Sequence, residues 1–340
     1  MTEQSRVSYI DIAKAIGIYL VILGHVVNVG TPVKTLLYTF HMPLFFILSG
    51  MTYKLPSGNN WQSILNRVKK YVGSLLIPYI LFALFYSKLT LPNLAFISYS
   101  SWKALKLAGS LSSLWFLIAL FISHVYLLLV YKLMQIKNGR NALLLLIIAI
   151  ALFTIGVILP YGGKYGYPWM MNVAFVGSAF ILAGILLRKL VSKFSDLVIT
   201  WRLGILIISL IAFIIIMPVN KPSTGYVLMA DGIYGNAIVF ALTALLGSMI
   251  VIMISQISDV ILSRQSFILW VGKNTLGIYL IHKFIISGVH AILNNWGLDN
   301  NNVAIACATS VLVLLVSCAV VVVINKFVPF ILHYRINEHY

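Results

Sequence analysis

Charge is what this sequence lacks most. Only 9% of its 340 residues are charged and seven are acidic, whereas a soluble domain carries about 25% charged residues. Seven carboxylates cannot clothe a water-facing surface, which excludes a soluble enzyme. Cysteine is almost as scarce. Cys307 and Cys318 share one apolar stretch, and on a helix they stand ~16 Å apart, too far to bridge. A disulfide scaffold is excluded. Also missing are low-complexity tracts, internal repeats and any appended soluble segment. The first apolar run holds Asp11, Lys14 and His25 and has no small-residue cleavage site, unlike a removable signal peptide.

What is present is apolar: 61% of the residues are hydrophobic. That composition excludes a disordered chain and predicts an all-α, polytopic membrane helix bundle forming one domain over residues 1–340. Ten runs approach the roughly 20 residues needed to cross a bilayer. They lie at about 9–28, 36–53, 73–91, 111–132, 141–160, 170–188, 203–220, 233–255, 267–288 and 303–332. The net charge of +17 would suggest nucleic acid in a soluble protein. In a membrane protein it is read as topology, so no nucleic-acid partner is expected. Assigned to alternate flanks of the ten runs, the basic residues divide sixteen against seven, with Lys14 inside a run. The larger set includes Arg67, Lys69, Lys70 and Arg188; the smaller includes Lys34, Lys103 and Lys283. The positive-inside rule then predicts both termini in the cytoplasm of a multi-pass inner (cell) membrane protein.

Ionisable groups at membrane depth are costly unless they face a cavity or a partner. The first run carries the most. Lys14 and His25 are eleven residues apart, about three turns, so they share one helix face ~16 Å apart along the axis. Asp11 lies one turn before Lys14, within pairing reach. An interfacial anchoring pair and a packed histidine are the bland readings; a stripe holding a long molecule with an anionic head is the sharper one. The second run places His41 toward the outer surface and Ser49-Gly50 toward the cytoplasm. An inner loop with Arg67, Lys69 and Lys70 follows, serving as topology charge or as a cationic collar for phosphate. Trp115 opens the fourth run from outside, as a belt residue or a substrate contact. Thr275, Tyr279 and His282 recur at i, i+4, i+7 in the ninth run, with His282 at a depth like that of His25. Tyr161, Tyr165, Tyr167 and Trp169 crowd one outer loop, as belt residues or a sugar-stacking platform. Asp231 is one of two outer-loop carboxylates, beside Asp299; it suits either loop solvation or a sugar hydroxyl.

Taken together these residues resemble the acyltransferase family 3 membrane proteins, most nearly the fucose 4-O-acetylase-like branch. The resemblance rests on Asp11…Lys14-x10-His25, Phe45-Phe46-x-x-Ser49-Gly50, Arg67-x-x-Lys70, Leu114-Trp115-Phe116-Leu117 and Tyr279-Leu280-Ile281-His282. Lys14 and Lys70 stand where the family often has Arg, keeping charge without the bidentate fork. The resemblance implies transfer of an acyl group, usually acetyl from acetyl-CoA as co-substrate, to a carbohydrate or lipid-linked glycan hydroxyl at the outer face. His25 would be general base or acyl carrier, with Asp11 and His282 beside it. Lys14, Arg67, Lys70, Ser49 and Gly50 would hold the donor, and His41, Trp115, Tyr279 and Asp231 the acceptor. A secondary transporter or flippase for an anionic or glycolipid substrate is the competing reading. The bilayer is the obligatory partner; a homo-oligomer or polysaccharide-assembly partners are compatible with it.

Overall fold

The computed structural model describes residues 8–54, 58, 60–87, 90–107, 110–134, 141–159, 164–261, 266–295 and 302–327. Among them the regular structure is helical, with one isolated bridge between Leu228 and Ile233. Fifteen α-helices run in order: α1 Ser8–Val26, α2 Pro32–Tyr38, α3 His41–Met51, α4 Trp61–Tyr71, α5 Ile77–Tyr86, α6 Leu91–Tyr99, α7 Trp102–Leu107, α8 Trp115–Leu133, α9 Ala142–Ile158, α10 Met171–Ser195, α11 Ile199–Ile216, α12 Ala237–Ile261, α13 Ser266–Lys273, α14 Thr275–Asn295 and α15 Val303–Phe327. Among the described residues, nine helical segments are long and apolar enough to cross a membrane, and the 17-residue α9 is a shorter apolar helix. The protein is a polytopic membrane helix bundle. Its outer faces agree: Ile208, Ile214 and Ile215 on α11 are 68%, 60% and 67% exposed, a bare aliphatic stripe suited to lipid and not to water.

Asparagine marks where several of these helices begin. The Asn60 side chain accepts from the Ser63 amide at 2.7 Å, Asn141 from Leu144 at 3.1 Å, Asn236 from Ile238 at 3.1 Å and Asn302 from Ala304 at 2.9 Å. Each satisfies an amide that the first turn leaves without a helical partner. Some expected spans are built differently. The expected basic loop with Arg67, Lys69 and Lys70 is instead helix α4, which continues through a π-helical turn at Val72–Leu76 into α5. Ile64 is its buried residue, Lys69 and Lys70 are exposed, and Arg67 is half-buried. The π turn has a cause: Pro78 lacks an amide hydrogen and crowds the carbonyl four residues back. The expected span 36–53 is interrupted between α2 and α3, and the span 267–288 breaks at Asn274, whose side chain donates to the Trp270 carbonyl at 2.9 Å.

The chain divides into two compact units, Met1–Leu48 with Arg188–Val227 and Gly235–Val321, and Ser49–Leu187 with Leu228–Tyr234 and Val322–Tyr340. In the first, α1 is the core, with Ala13, Ile18 and Ile22 fully buried. Small residues let its neighbours close in. A Cβ on Gly272 of α13 would sit 1.9 Å from the Asp11 carbonyl oxygen, and one on Gly17 would sit 2.9 Å from the Phe45 ring. The second unit uses the same device. Gly156 of α9 meets Val176, and Gly50 meets the Ile181 carbonyl. Ser123 of α8 donates to the Ala174 carbonyl at 2.9 Å, while Ser178 of α10 donates back to the Ser123 carbonyl at 3.2 Å. Close backbone approach through small and hydroxyl residues is how helices associate where lipid removes the hydrophobic drive between them.

Candidate functional site

In the first unit three helices bring three imidazoles together. His25 ends α1, and its ring centroid lies 5.4 Å from that of His282 on α14, tilted by 41°. Tyr38 at the end of α2 stands edge-on to His25 at 6.4 Å and to His41 of α3 at 4.7 Å. His282 and His41 are buried and His25 is partly accessible.

Hydrogen bonding fixes how these rings present themselves. His282 Nδ1 lies 2.6 Å from the Tyr279 carbonyl and His41 Nδ1 lies 2.6 Å from the Leu37 carbonyl. A carbonyl only accepts, so each Nδ1 carries the hydrogen and each neutral ring keeps its lone pair at Nε2. His282 Nε2 is buried and makes no hydrogen bond among the described residues. A basic nitrogen kept dry and unengaged beside a second imidazole suits proton transfer. The local fold produces this: Thr275 Oγ1 donates to the Gly272 carbonyl at 2.7 Å, fixing the start of α14 two turns before His282. Tyr279 packs on His282 at 5.5 Å. The expected stripe Thr275, Tyr279, His282 therefore exists, with Thr275 serving the helix break and the other two the cluster.

Toward the start of α1, Lys14 Nζ lies 3.9 Å from Asp11 Oδ1. Asp11 is buried and Lys14 is about one-third exposed. The expected pair forms, on the same helix as His25 and about three turns away.

The second unit gathers another set of expected residues around one that sequence reasoning missed. Ser49 Oγ is 2.9 Å from His124 Nε2. The His124 ring is stacked by Tyr71 at 4.1 Å and 12°, and lies nearly parallel to Tyr53 at 5.8 Å and 7°. Arg67 of α4 is within electrostatic range of Tyr53, Tyr71 and His124. Lys70 is exposed one turn further along α4. Gly50 is occupied with packing on α10. His124 and the Tyr53 hydroxyl are buried, and among the described residues His124 Nδ1 and Tyr53 Oη have no hydrogen-bond partner. The signal for His124 was available: it is an ionisable side chain inside an apolar span.

The remaining expected residues fall elsewhere. Trp115 is 8% exposed at the start of α8, edge-on to Phe116 at 6.0 Å; it packs in the interior and is not a surface belt residue. Asp231 pairs with Lys103, Nζ to Oδ1 3.7 Å, in a small cleft also lined by Ser101, Trp102, Tyr167 and Asn172. Burial holds the Asp231 carboxyl above its ordinary range, with Lys103 pulling the other way. Tyr165 accepts at its backbone carbonyl from Ser101 Oγ. Trp169 takes φ 53° within a tight turn, and Tyr161 and Asp299 lie outside the described residues.

These features define a membrane-embedded protein with a histidine cluster at one end of helix α1 and an ion pair toward that helix's other end. A profile of the acyltransferase domain of acyltransferase family 3 matches residues 7–322. The chain belongs to that family and is a membrane acyltransferase. Comparison with curated proteins gives no match.

Proposed function

We propose that this acyltransferase moves an acetyl group from cytoplasmic acetyl-CoA, through its own helices, to a hydroxyl of a cell-surface polysaccharide or lipid-linked sugar, in the inner (cell) membrane. The observation that carries the proposal is the buried, unengaged Nε2 of His282 beside His25, on the helix that also carries Lys14.

His25, the more accessible ring, takes the proton of the acceptor hydroxyl as that oxygen attacks the thioester carbonyl. A C–O bond forms, the C–S bond breaks, and the proton passes from the imidazole to the departing sulfur, giving an ester and a free thiol. His282, with its hydrogen directed to Tyr279, offers its lone pair to orient His25 and to stabilise the imidazolium. Lys14 supplies a cationic contact for donor phosphates. The larger set of basic flanks faces the cytoplasm by the positive-inside rule, which puts Lys14 on the donor side and His25 toward the acceptor side.

Sealed inverted vesicles carrying a glycan acceptor in the lumen test both the chemistry and its direction. External acetyl-CoA is expected to be consumed, with acceptor-dependent release of free thiol. Right-side-out vesicles given acetyl-CoA only outside are expected to be silent. Equal rates in the two sealed orientations would overturn transfer through the helices, and substrate movement without thiol release would leave a transporter.

A further inference from the structure

Beside the histidine cluster lies a cationic one that the chemistry above does not use. Lys34 of α2 is 7% exposed. Its ammonium donates to the Val27 carbonyl at 3.1 Å and stands over two tyrosine rings, 5.3 Å from the centroid of Tyr38 and 5.8 Å from that of Tyr226. Tyr38 and Tyr226 meet edge to face at 5.0 Å, and Thr35 Oγ1 donates to the Gly225 carbonyl at 3.3 Å, tying this loop to α2. Burial raises the Tyr226 hydroxyl above its ordinary pKa, so it remains a neutral donor. Lys283, next to His282, is within electrostatic range of both Lys34 and His25.

Two ammonium groups and three imidazoles thus share one end of the first unit. Among the described residues neither lysine forms an ion pair, unlike Lys14 with Asp11 and Lys103 with Asp231. Glu3, Asp299 and Glu338 lie outside the described residues. An ammonium so far removed from water is costly without a counter-charge, and one carbonyl and two ring faces leave two of its three N–H donors for something else. The topology places Lys34 and Lys283 on the outer side, away from the donor phosphates. The anion they suit must therefore arrive with the acceptor.

We propose that Lys34, assisted by Lys283, binds an anionic group on the acceptor, so that this enzyme acts on a phosphate- or carboxylate-bearing glycan in preference to a neutral one. The proposal rests on the acyl-transfer reading for the identity of its ligand, but the site can be tested without it. The Tyr38 and Tyr226 rings wall the ammonium and pack against the sugar, while the adjacent His25 reaches a nearby hydroxyl.

The test uses the full-length protein purified in detergent and three probes: methyl glucoside, methyl glucuronide and glucose 1-phosphate. Calorimetric binding without donor is measured first, then acetyl transfer to each probe. At least one anionic probe is expected to bind roughly tenfold or more tightly than the neutral one, and the stronger of the two identifies carboxylate or phosphate as the natural charge. Lys34→Gln should abolish the preference, Lys34→Arg should keep it, and Lys283→Gln should reduce it severalfold. Where transfer occurs, Lys34→Gln should raise KM for the anionic probe and leave kcat close to wild type. Equal affinity for all three probes, or a preference that survives both glutamine variants, overturns the anion site while leaving acyl transfer intact. A kcat loss shared by neutral and anionic acceptors also overturns it, reassigning Lys34 to the transition state. Anion-selective binding with no transfer to any probe would keep the site and sink the acyl-transfer reading.

Discussion

Among the described residues a cluster of three histidines in the first unit contrasts with a single stacked histidine in the second, and the difference lies in what surrounds the rings. In the first unit His25 and His282 approach at 5.4 Å, one ring partly accessible and the other with a buried lone pair. In the second unit His124 is 3% exposed, layered against Tyr71 and bonded to Ser49. Each unit holds a buried ring nitrogen without a partner among the described residues, His282 Nε2 and His124 Nδ1. A second, partly accessible imidazole beside it suits proton exchange, whereas aromatic stacking and a hydroxyl partner suit a ring that holds a shape. A histidine inside a membrane is therefore not one kind of signal, and its neighbours decide which it is.

Exchanging the two rings for smaller groups breaks the comparison most directly. His25→Ala is expected to lower transfer by roughly a hundredfold to ten-thousandfold, the range for a general base, with thermal stability unchanged within error. His124→Ala should do the reverse. It removes a buried stacked ring and costs roughly 2–4 kcal/mol of stability, seen as a lower midpoint in detergent, with residual activity in whatever remains folded. Loss of activity in both with loss of stability in neither would erase the distinction.

His282→Ala sharpens it. If His282 only orients His25, the loss should be about tenfold to a hundredfold in kcat, with acceptor KM little changed. A defect as deep as that of His25→Ala would make the two rings equal partners in the chemistry.

The donor side predicts smaller losses. Lys14→Ala should weaken acetyl-CoA binding by on the order of tenfold, up to a hundredfold, as expected for a charged contact. Lys14→Arg should retain binding. Unchanged affinity in the alanine variant would return this residue to structure.

The smallest effect concerns Asp231. Its carboxyl is held above the usual range, chiefly by burial, so only between the unfolded and the raised folded value does the folded protein bind a proton that the unfolded chain has released. Stability from this group is therefore present at low pH and falls as pH rises through the window between the unfolded and the raised value. Asp231→Asn should flatten that fall, leaving a slightly higher midpoint than wild type at neutral pH and none of the difference in acid. A lower midpoint at neutral pH would mean that the Lys103 pair outweighs burial.

Much of this was legible in the sequence, for reasons that can be named. Span positions follow from hydropathy because the bilayer leaves the backbone little choice but helix. The Lys14–His25 stripe, the Asp11 pair and the Tyr279–His282 approach follow from helical periodicity, which side-chain geometry obeys locally. Three things were hidden. The breaks at Thr39-Phe40 and Asn274 depend on capping, and hydropathy averaged over a span erases them. Helix α4 looks like a loop in sequence because its basic residues dominate the count, while inward-facing Ile64 is a single quiet residue. The partnership of Ser49 with His124 joins positions 75 residues apart, and no local pattern announces a contact of that range. The meaning of Lys34 was hidden in another way. Among the outer-loop lysines it counts as one topology charge, and only burial distinguishes it from the others.

The break at Asn274 sets a phase. Because Thr275 anchors α14 to α13, His282 has a fixed azimuth seven residues downstream, and the imidazole behaves like the hand of a clock whose zero is that junction. One residue inserted between Thr275 and His282 would turn the ring by about 100° and advance it by ~1.5 Å, carrying Nε2 away from His25 while leaving every apolar residue of the segment apolar. The same insertion before Asn274 would leave the phase of α14 relative to its junction untouched. In this enzyme the spacing between a helix break and a histidine therefore has as much chemical meaning as the histidine itself, and a chain with every site residue present but one residue added inside that interval should fold into the membrane and fail to transfer.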